Sequence, residues 1–162
     1  MTANTHHKKL LIVAHTPSPN TRDLAQALAR GAQSDQITGV DTTLLSPFEC
    51  DAERVLSSDA LILFTTENFG YMSGALKDFF ERIYYPCLDQ PARNEGKPFA
   101  LVIRAGLDGT GTNIAVHKIT TGLKWREVQD VLLCHGEYQP EFIAQCEELG
   151  MTIAASLEHN LI

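Results

Sequence analysis

The fold is decided by a short apolar run near the amino terminus, Leu10-Leu11-Ile12-Val13-Ala14. A continuous apolar run of this length is typical of a strand that is buried on both faces of a parallel sheet. Similar runs recur at residues 60–64 and 99–103, and weaker ones lie at Val40–Leu45 and Val128–Leu133. The sequence therefore predicts five strands, of which the two weaker ones lie nearer the sheet edges.

Helical patterns separate these strands. Apolar residues at helical spacing predict a helix after the first strand and another after the third, while the crossover at Glu49–Ser58 is the least regular. A further helix is predicted over Ile114–Leu123, and Pro140 begins the last one. Because right-handed crossovers place helices on both faces of a parallel sheet, we expect an α/β fold, a doubly wound three-layer sandwich with strand order 2-1-3-4-5. In this order ligands bind in the crevice at the carboxyl ends of the strands.

Length and composition indicate one globular domain over residues 1–162, with residues 1–8 as a mobile tail. The apolar fraction of 44% and the charged fraction of 20% are those of an ordinary soluble protein. No run is long enough to span a membrane, and Met1–Lys9 lacks the apolar core of a secretory signal, so we expect a cytoplasmic protein. The net charge of −7 and the absence of Lys/Arg runs disfavour nucleic acid as a partner.

The cysteines and histidines predict no metal site. Cys50, Cys87, Cys134 and Cys146 are widely spaced and form no Cys-x-x-Cys motif, so we interpret them as ordinary reduced residues. The histidines, including His6-His7 and His117, also lack the spacing of metal ligands.

A polar loop follows the first strand, His15-Thr16-Pro17-Ser18-Pro19-Asn20-Thr21, and leads directly into the helix that contains Arg22. The amino terminus of a helix presents free N–H groups and a positive dipole end, so this loop is suited to a phosphate even without a lysine. The alternative is a plain strand-to-helix turn with Asn20 or Thr21 as its N-cap. The loop has neither a Gly-x-x-x-x-Gly-Lys motif nor Gly-x-Gly-x-x-Gly, which disfavours an ATP-dependent kinase and a Rossmann dehydrogenase.

Two further loops follow the third and fourth strands. In Thr65–Gly74, glycines lie beside Phe69 and Tyr71, an arrangement that allows the close approach of a planar ligand. The alternative for these aromatic residues is core packing beneath the loop. The third loop, Ala105–Asn113, contains three glycines and can lie flat against a ligand, or Asp108 and Gly109 can form an ordinary turn.

With these three segments assembled, the sequence resembles the flavodoxin-like superfamily, particularly its small NAD(P)H-dependent FMN reductases and quinone reductases. The resemblance covers nearly the whole chain. It is most specific in Thr65–Arg82, where a Gly-containing turn precedes a helix that starts Leu-Lys-Asp-aromatic. The first loop is spelled neither Thr-Gly-x-Thr nor Gly-Ser-x-Arg, so the subgroup stays open. The resemblance implies FMN as the cofactor, NAD(P)H as the reductant and a homodimer or homotetramer.

The resemblance also implies the residues that bind FMN. The first loop, residues 15–21, which we call loop one, surrounds the phosphate of FMN. The second loop faces the isoalloxazine, and the third closes the other edge of the ring. The implied cofactor-binding residues are Thr16, Ser18, Asn20, Thr21, Thr66, Glu67, Asn68, Phe69, Gly70, Gly106, Leu107, Asp108, Gly109 and Gly111. No protein side chain is predicted to be catalytic, because the chemistry belongs to FMN.

Three functions follow from this reading. The first is an oxidoreductase that passes electrons from NAD(P)H through FMN to a quinone, a flavin or a similar small-molecule acceptor. The second is an electron carrier without enzymatic activity, a flavodoxin that docks to protein redox partners through an acidic surface. The third is a flavin-free module such as a response-regulator receiver, which needs clustered acidic residues after the first strand. His15-Thr16-Pro17 occupies that position, which disfavours a receiver.

Overall fold

Parallel strands form the centre of the molecule in the computed structural model, which describes residues 6–162. The strands are β1 (Lys8–Ala14), β2 (Val40–Leu45), β3 (Ala60–Asn68), β4 (Tyr71–Met72), β5 (Pro98–Ala105), β6 (Arg126–Glu127) and β7 (Leu132–His135). The helices are α1 (Pro19–Ala32), α2 (Ala52–Leu56), α3 (Gly74–Leu88), α4 (Pro91–Asn94), α5 (Thr110–Gly122) and α6 (Glu141–Glu158), with a 3₁₀ turn at Pro47–Glu49.

The sheet has the predicted topology. Its order is β2-β1-β3-β5, with β6 and β7 both pairing the outer side of β5, and these pairings are all parallel. Because β5 is the fourth long strand, this order confirms the predicted 2-1-3-4-5 arrangement. The additional strand β4 pairs antiparallel with the end of β3.

Alternate residues of the strands build two cores, one on each face of the sheet. Leu11, Val13 and Leu63 belong to the core that contains residues of α2, α3 and α5. Ile12 and Phe64 belong to the core with α1 and α6. Apolar packing on both faces explains why these strands read as continuous apolar runs, as expected for a covered parallel sheet.

The prediction of one fifth strand at Val128–Leu133 was wrong. Two short strands, β6 and β7, lie on either side of residues 128–131. Along this ladder β5 advances three residues, from Phe99 to Val102, while its partner advances five, from Glu127 to Leu132. The exposed polar residues between the two short strands leave the ladder, so the apolar content of Val128–Leu133 did not mark a single strand.

Helix boundaries also differ from the predictions at the sheet edge. The first helix starts at Pro19, so the last three residues of the predicted loop belong to its first turn. The helix predicted at Ile114–Leu123 starts earlier, at Thr110. Residues 1–5 of the predicted tail lie outside the described residues, and Lys8 already belongs to β1. No helix within residues 6–162 is long and apolar enough to cross a membrane.

Candidate functional site

The three predicted loops meet at one edge of the sheet. They follow β1, β3 and β5, and these strands are neighbours in the sheet and run parallel to one another. Their carboxyl ends therefore lie side by side at the point where the winding of the sheet reverses. This is the position at which open α/β sheets bind ligands.

Loop one is closed on itself by a capping box. Ser18 is the N-cap of α1, and its Oγ accepts a hydrogen bond from the Thr21 N–H at 3.2 Å. In return the Ser18 N–H donates to Thr21 Oγ1 at 3.0 Å. The Thr21 hydroxyl is buried and also donates to the Ser18 carbonyl oxygen at 2.9 Å. The N-cap is thus Ser18 rather than Asn20 or Thr21, because Pro19 is well suited to the first helical position.

Other groups of loop one remain available to a ligand. The Asn20 side chain is exposed, and the backbone N–H of Asn20 has no hydrogen-bond partner within residues 6–162. Thr16 and Arg22 line a cavity of about 190 Å³ beside the loop. Burial lowers the pKa of His15 below its ordinary value of 6.5, so its neutral imidazole is favoured. The groups that can donate to an anion are therefore the backbone N–H of Asn20 in the first turn of α1 and the side chains of Thr16 and Arg22 beside it.

Loop two is a hairpin rather than an irregular loop. Strand β3 continues to Asn68 and pairs with β4, so that Glu67 lies opposite Met72 and Asn68 opposite Tyr71. Phe69 and Gly70 form the two-residue turn between them with φ angles of 53° and 73°. Positive φ at both central residues is the geometry of the tight turns that match strand twist, and it is comfortable for Gly70 but strained for Phe69.

Glu67 fastens the third loop to this hairpin. Its carboxylate accepts hydrogen bonds from the Leu107 N–H at 3.0 Å and from the Gly109 N–H at 2.7 Å. Asp108, between these two donors, accepts from the Thr110 N–H at 3.1 Å and closes the turn into α5. The side chain of Glu67 therefore holds the loop in place, and two backbone donors of the loop are already used.

A second contact joins α5 to the tip of the hairpin. The Cα of Gly111 lies so close to the carbonyl oxygen of Gly70 that a Cβ at residue 111 would overlap this oxygen. Only glycine permits this approach. Residues 66–71 and 106–111 thus form one continuous surface, which we call the ring wall.

The ring wall exposes apolar side chains. Phe69 is fully exposed, and Leu107 and Tyr71 are exposed by 69% and 42%. The alternative that these aromatic residues pack in the core is therefore wrong for Phe69. A large aromatic residue that is exposed on a strained turn has no packing role to explain it, and such surfaces mark binding sites.

One residue that sequence reasoning missed lies beside the ring wall. Arg104, the penultimate residue of β5, pairs in register with Thr66 of β3 and Cys134 of β7. It is a charged residue at the end of an otherwise apolar strand, just before the third loop, and that contrast was the available signal.

Cavities alone do not identify the site. One of the larger cavities, of about 410 Å³, is lined by Lys9, Asp41 and Arg54 among others and lies at the opposite edge of the sheet. At the carboxyl edge, a cavity of about 370 Å³ adjoins the third loop and is lined by Asp108, Asn113, Leu133 and their neighbours. We assign the site to the carboxyl edge because the topology and the exposed apolar residues coincide there.

The residues at this edge fit FMN. A helix amino terminus with an unpartnered N–H suits the phosphate, and exposed aromatic and aliphatic side chains suit the face of a flavin ring. The exposed side chains among the predicted residues are those of Asn20, Phe69, Leu107 and Asp108. Thr16 and Asn68 are half-buried, and the Asn68 Oδ1 accepts a hydrogen bond from the Thr66 hydroxyl at 3.0 Å. The Ser18 and Thr21 hydroxyls bond each other, Glu67 holds the third loop, and Gly111 packs under Gly70.

Comparison with solved structures shows the flavodoxin-like fold. A flavodoxin from the domain Archaea superposes with a TM-score of 0.77 at 20% identity, covering 93% of this chain and 99% of that one. A flavodoxin-type, WrbA-like protein from Agrobacterium tumefaciens superposes with a TM-score of 0.72 at 17% identity, covering 94% of this chain and 98% of that one.

Comparison of sequences gives the family. A flavodoxin from Aquifex aeolicus is 30% identical over 115 residues, which span 71% of this chain and 60% of that protein. The model of the NADPH-dependent FMN reductase family matches residues 8–138, and this range contains all three loops and the ring wall. The resemblance seen in the sequence and the prediction of FMN as the cofactor are thereby confirmed, and the chain belongs to the NADPH-dependent FMN reductase family.

Proposed function

We propose that the chain is an oxidoreductase that passes electrons from NAD(P)H through FMN to a quinone, a flavin or a similar small acceptor. The observation that carries this proposal is the ring wall, whose apolar side chains remain exposed although its backbone is tied down by Glu67 and Gly111. A surface that is rigid before the ligand arrives loses little conformational entropy on binding.

The protein supplies binding and orientation. FMN, when bound, accepts a hydride and releases electrons one or two at a time. We propose that Thr16, Asn20 and the first turn of α1 hold the phosphate, and that Phe69 and Leu107 contact the flavin ring. Ser18, Thr21 and Glu67 keep these groups in place. The acceptor, the preferred nucleotide and the homodimer or homotetramer expected from the sequence stay predictions.

Steady-state oxidation of NADH and NADPH with a panel of quinones and free flavins tests the proposal. We expect turnover with at least one nucleotide, and a fall in kcat/KM when Phe69 is replaced by alanine. An FMN-loaded protein that oxidises neither nucleotide with any acceptor would contradict the proposal.

The second candidate is an electron carrier. The relative from Aquifex aeolicus and the net charge of −7 favour it, because acidic surfaces steer docking to basic redox partners. A redox titration separates the two functions. A carrier takes up electrons singly from a chemical reductant and is not reduced by NADH or NADPH, whereas the reductase is reduced directly by one of them.

A further inference from the structure

Arg104 is held in one orientation at the carboxyl edge of the sheet. It lies on the face covered by α1 and α6, since Ala100 and Val102 of the same strand belong to that core. Its Nη1 donates to the carbonyl oxygens of Ala105 at 2.9 Å and Cys134 at 3.0 Å. The guanidinium is therefore positioned by the backbone of β5 and β7 rather than by a charged partner.

Arg104 forms no salt bridge within the described residues. None of the salt bridges formed by residues 6–162 involves this side chain. Its Nε and Nη2 donate no hydrogen bond within these residues, and their N–H groups point the same way along one edge of the guanidinium plane. This pair of parallel donors matches the two oxygens of a carboxylate or phosphate.

Aromatic rings support the cation. The guanidinium carbon lies 5.4 Å from the ring centroid of Phe142 and 6.0 Å from that of Tyr138. These contacts stabilise a half-buried positive charge and leave the donor edge unused. Arg104 is thus half-buried and positioned by the backbone, with one edge of its guanidinium open to an anion.

Tyr138 adds a second polar group. Its hydroxyl is buried and has no hydrogen-bond partner within residues 6–162. Burial, and then the negative charge of Asp23 on α1, raises the pKa of the Tyr138 phenol, so the hydroxyl remains a proton donor. The hydroxyl is therefore free to donate to a bound anion.

We propose that Arg104 and Tyr138 form an oxyanion subsite beside the ring wall, which binds a carboxylate or phosphate group through the free guanidinium edge. The anion is a carboxylate or phosphate group of the second substrate, because loop one and the first turn of α1 hold the phosphate of FMN in the proposed function. The inference rests on the proposed function for the source of this anion. The binding itself requires no turnover.

The first arm of the test asks whether the phosphate of FMN occupies the subsite instead. The apoprotein is titrated with FMN and with riboflavin, which lacks the phosphate, for the wild type, Arg104→Gln and Arg104→Lys. We expect Arg104→Gln to leave the affinities for both flavins unchanged. A loss of about ten- to hundredfold for FMN alone, with Arg104→Lys between the wild type and Arg104→Gln, would place the phosphate of FMN in the subsite and overturn the inference.

The second arm uses the FMN-loaded protein. Inorganic phosphate and benzoate are titrated while the Arg104 Nε–H resonance is followed by NMR, with Tyr138→Phe as a second variant. A saturable shift that weakens in Tyr138→Phe assigns the subsite to the second substrate. If neither anion shifts the Nε–H resonance, or if the shift is unchanged in Tyr138→Phe, the inference is overturned. Lack of NAD(P)H oxidation would remove only the proposed function, because both arms measure binding.

Discussion

Loop one and the ring wall lie at the same edge of the sheet but differ in how they use their polar groups. In loop one, the Ser18 and Thr21 hydroxyls hydrogen-bond to each other in the capping box. In the ring wall, the Glu67 carboxylate hydrogen-bonds the second loop to the third, while Phe69 and Leu107 stay exposed. The difference teaches that the hydroxyls of loop one stabilise its helix cap, whereas the ring wall keeps apolar side chains exposed for the ligand that we propose.

The largest expected effect comes from Gly111→Ala, which would separate the two parts of the ring wall. The new Cβ would overlap the Gly70 carbonyl oxygen, a backbone atom that cannot move aside cheaply. We expect a loss of about 1–3 kcal/mol in the free energy of unfolding and a marked loss of FMN affinity. Urea denaturation and FMN titration measure both.

Gly74→Ala is the matched control for this change. A Cβ there meets nothing within 4 Å, and its φ is not in the left-handed region. We expect stability equal to or slightly above that of the wild type. Equal behaviour of the two variants would show that Gly111 does not join α5 to the hairpin.

Glu67 tests the other connection within the ring wall. Glu67→Ala leaves the Leu107 and Gly109 N–H groups without their acceptor, which costs about 1–3 kcal/mol. Glu67→Gln retains one acceptor oxygen and is expected to lie between alanine and the wild type. Amide hydrogen exchange at residues 107 and 109 is the measurement, and unchanged protection in both variants would contradict the contact.

Phe69→Gly separates ligand binding from stability. The apoprotein is expected to gain about 1 kcal/mol, because glycine relieves the left-handed backbone conformation at φ 53°. FMN affinity is expected to fall about tenfold, because the aromatic face is lost. Tyr85→Ala removes another exposed aromatic residue, near the far end of α3, and serves as the control, with no change in FMN affinity. A tight FMN complex of Phe69→Gly would remove this residue from the site.

Ser18→Ala is expected to lower stability more than FMN affinity, the opposite of Phe69→Gly. Loss of the capping box costs about 1 kcal/mol of stability. FMN affinity should change less than in Phe69→Gly, since the hydroxyl already serves the cap. A stronger effect on FMN than on stability would show that Ser18 contacts the phosphate directly.

The smallest effect concerns pH at His15. Burial lowers its pKa in the folded state below 6.5, so the unfolded chain binds the proton more readily. The stability contributed by neutral His15 is therefore full above about pH 6.5 and is lost as pH falls through the lowered folded-state pKa. Denaturation of the wild type and His15→Gln between pH 5 and 8 tests this, and curves that stay parallel would contradict it.

The sequence predicted the sheet order and the edge where the loops meet, because continuous apolar runs and parallel topology are strong signals. It did not predict the split between β6 and β7, since the apolar content of Val128–Leu133 hides the residues that leave the ladder. It also could not tell which loop donors are free. Ser18 and Asn20 are both good N-cap residues, and the hydrogen bonds between Ser18 and Thr21 show which of them caps the helix. The role of Glu67 depends on a residue forty positions later in the chain, which local patterns do not reveal.

The central claim is that FMN lies between loop one and the ring wall at the carboxyl edge of the sheet. The most direct measurement is a titration of the ¹⁵N-labelled apoprotein with FMN, followed by backbone amide NMR. We predict saturable one-to-one binding with the largest shifts in residues 16–21, 66–71 and 106–111. Absence of binding, or shifts centred on Lys9, Asp41 and Arg54 at the opposite edge, would contradict the claim.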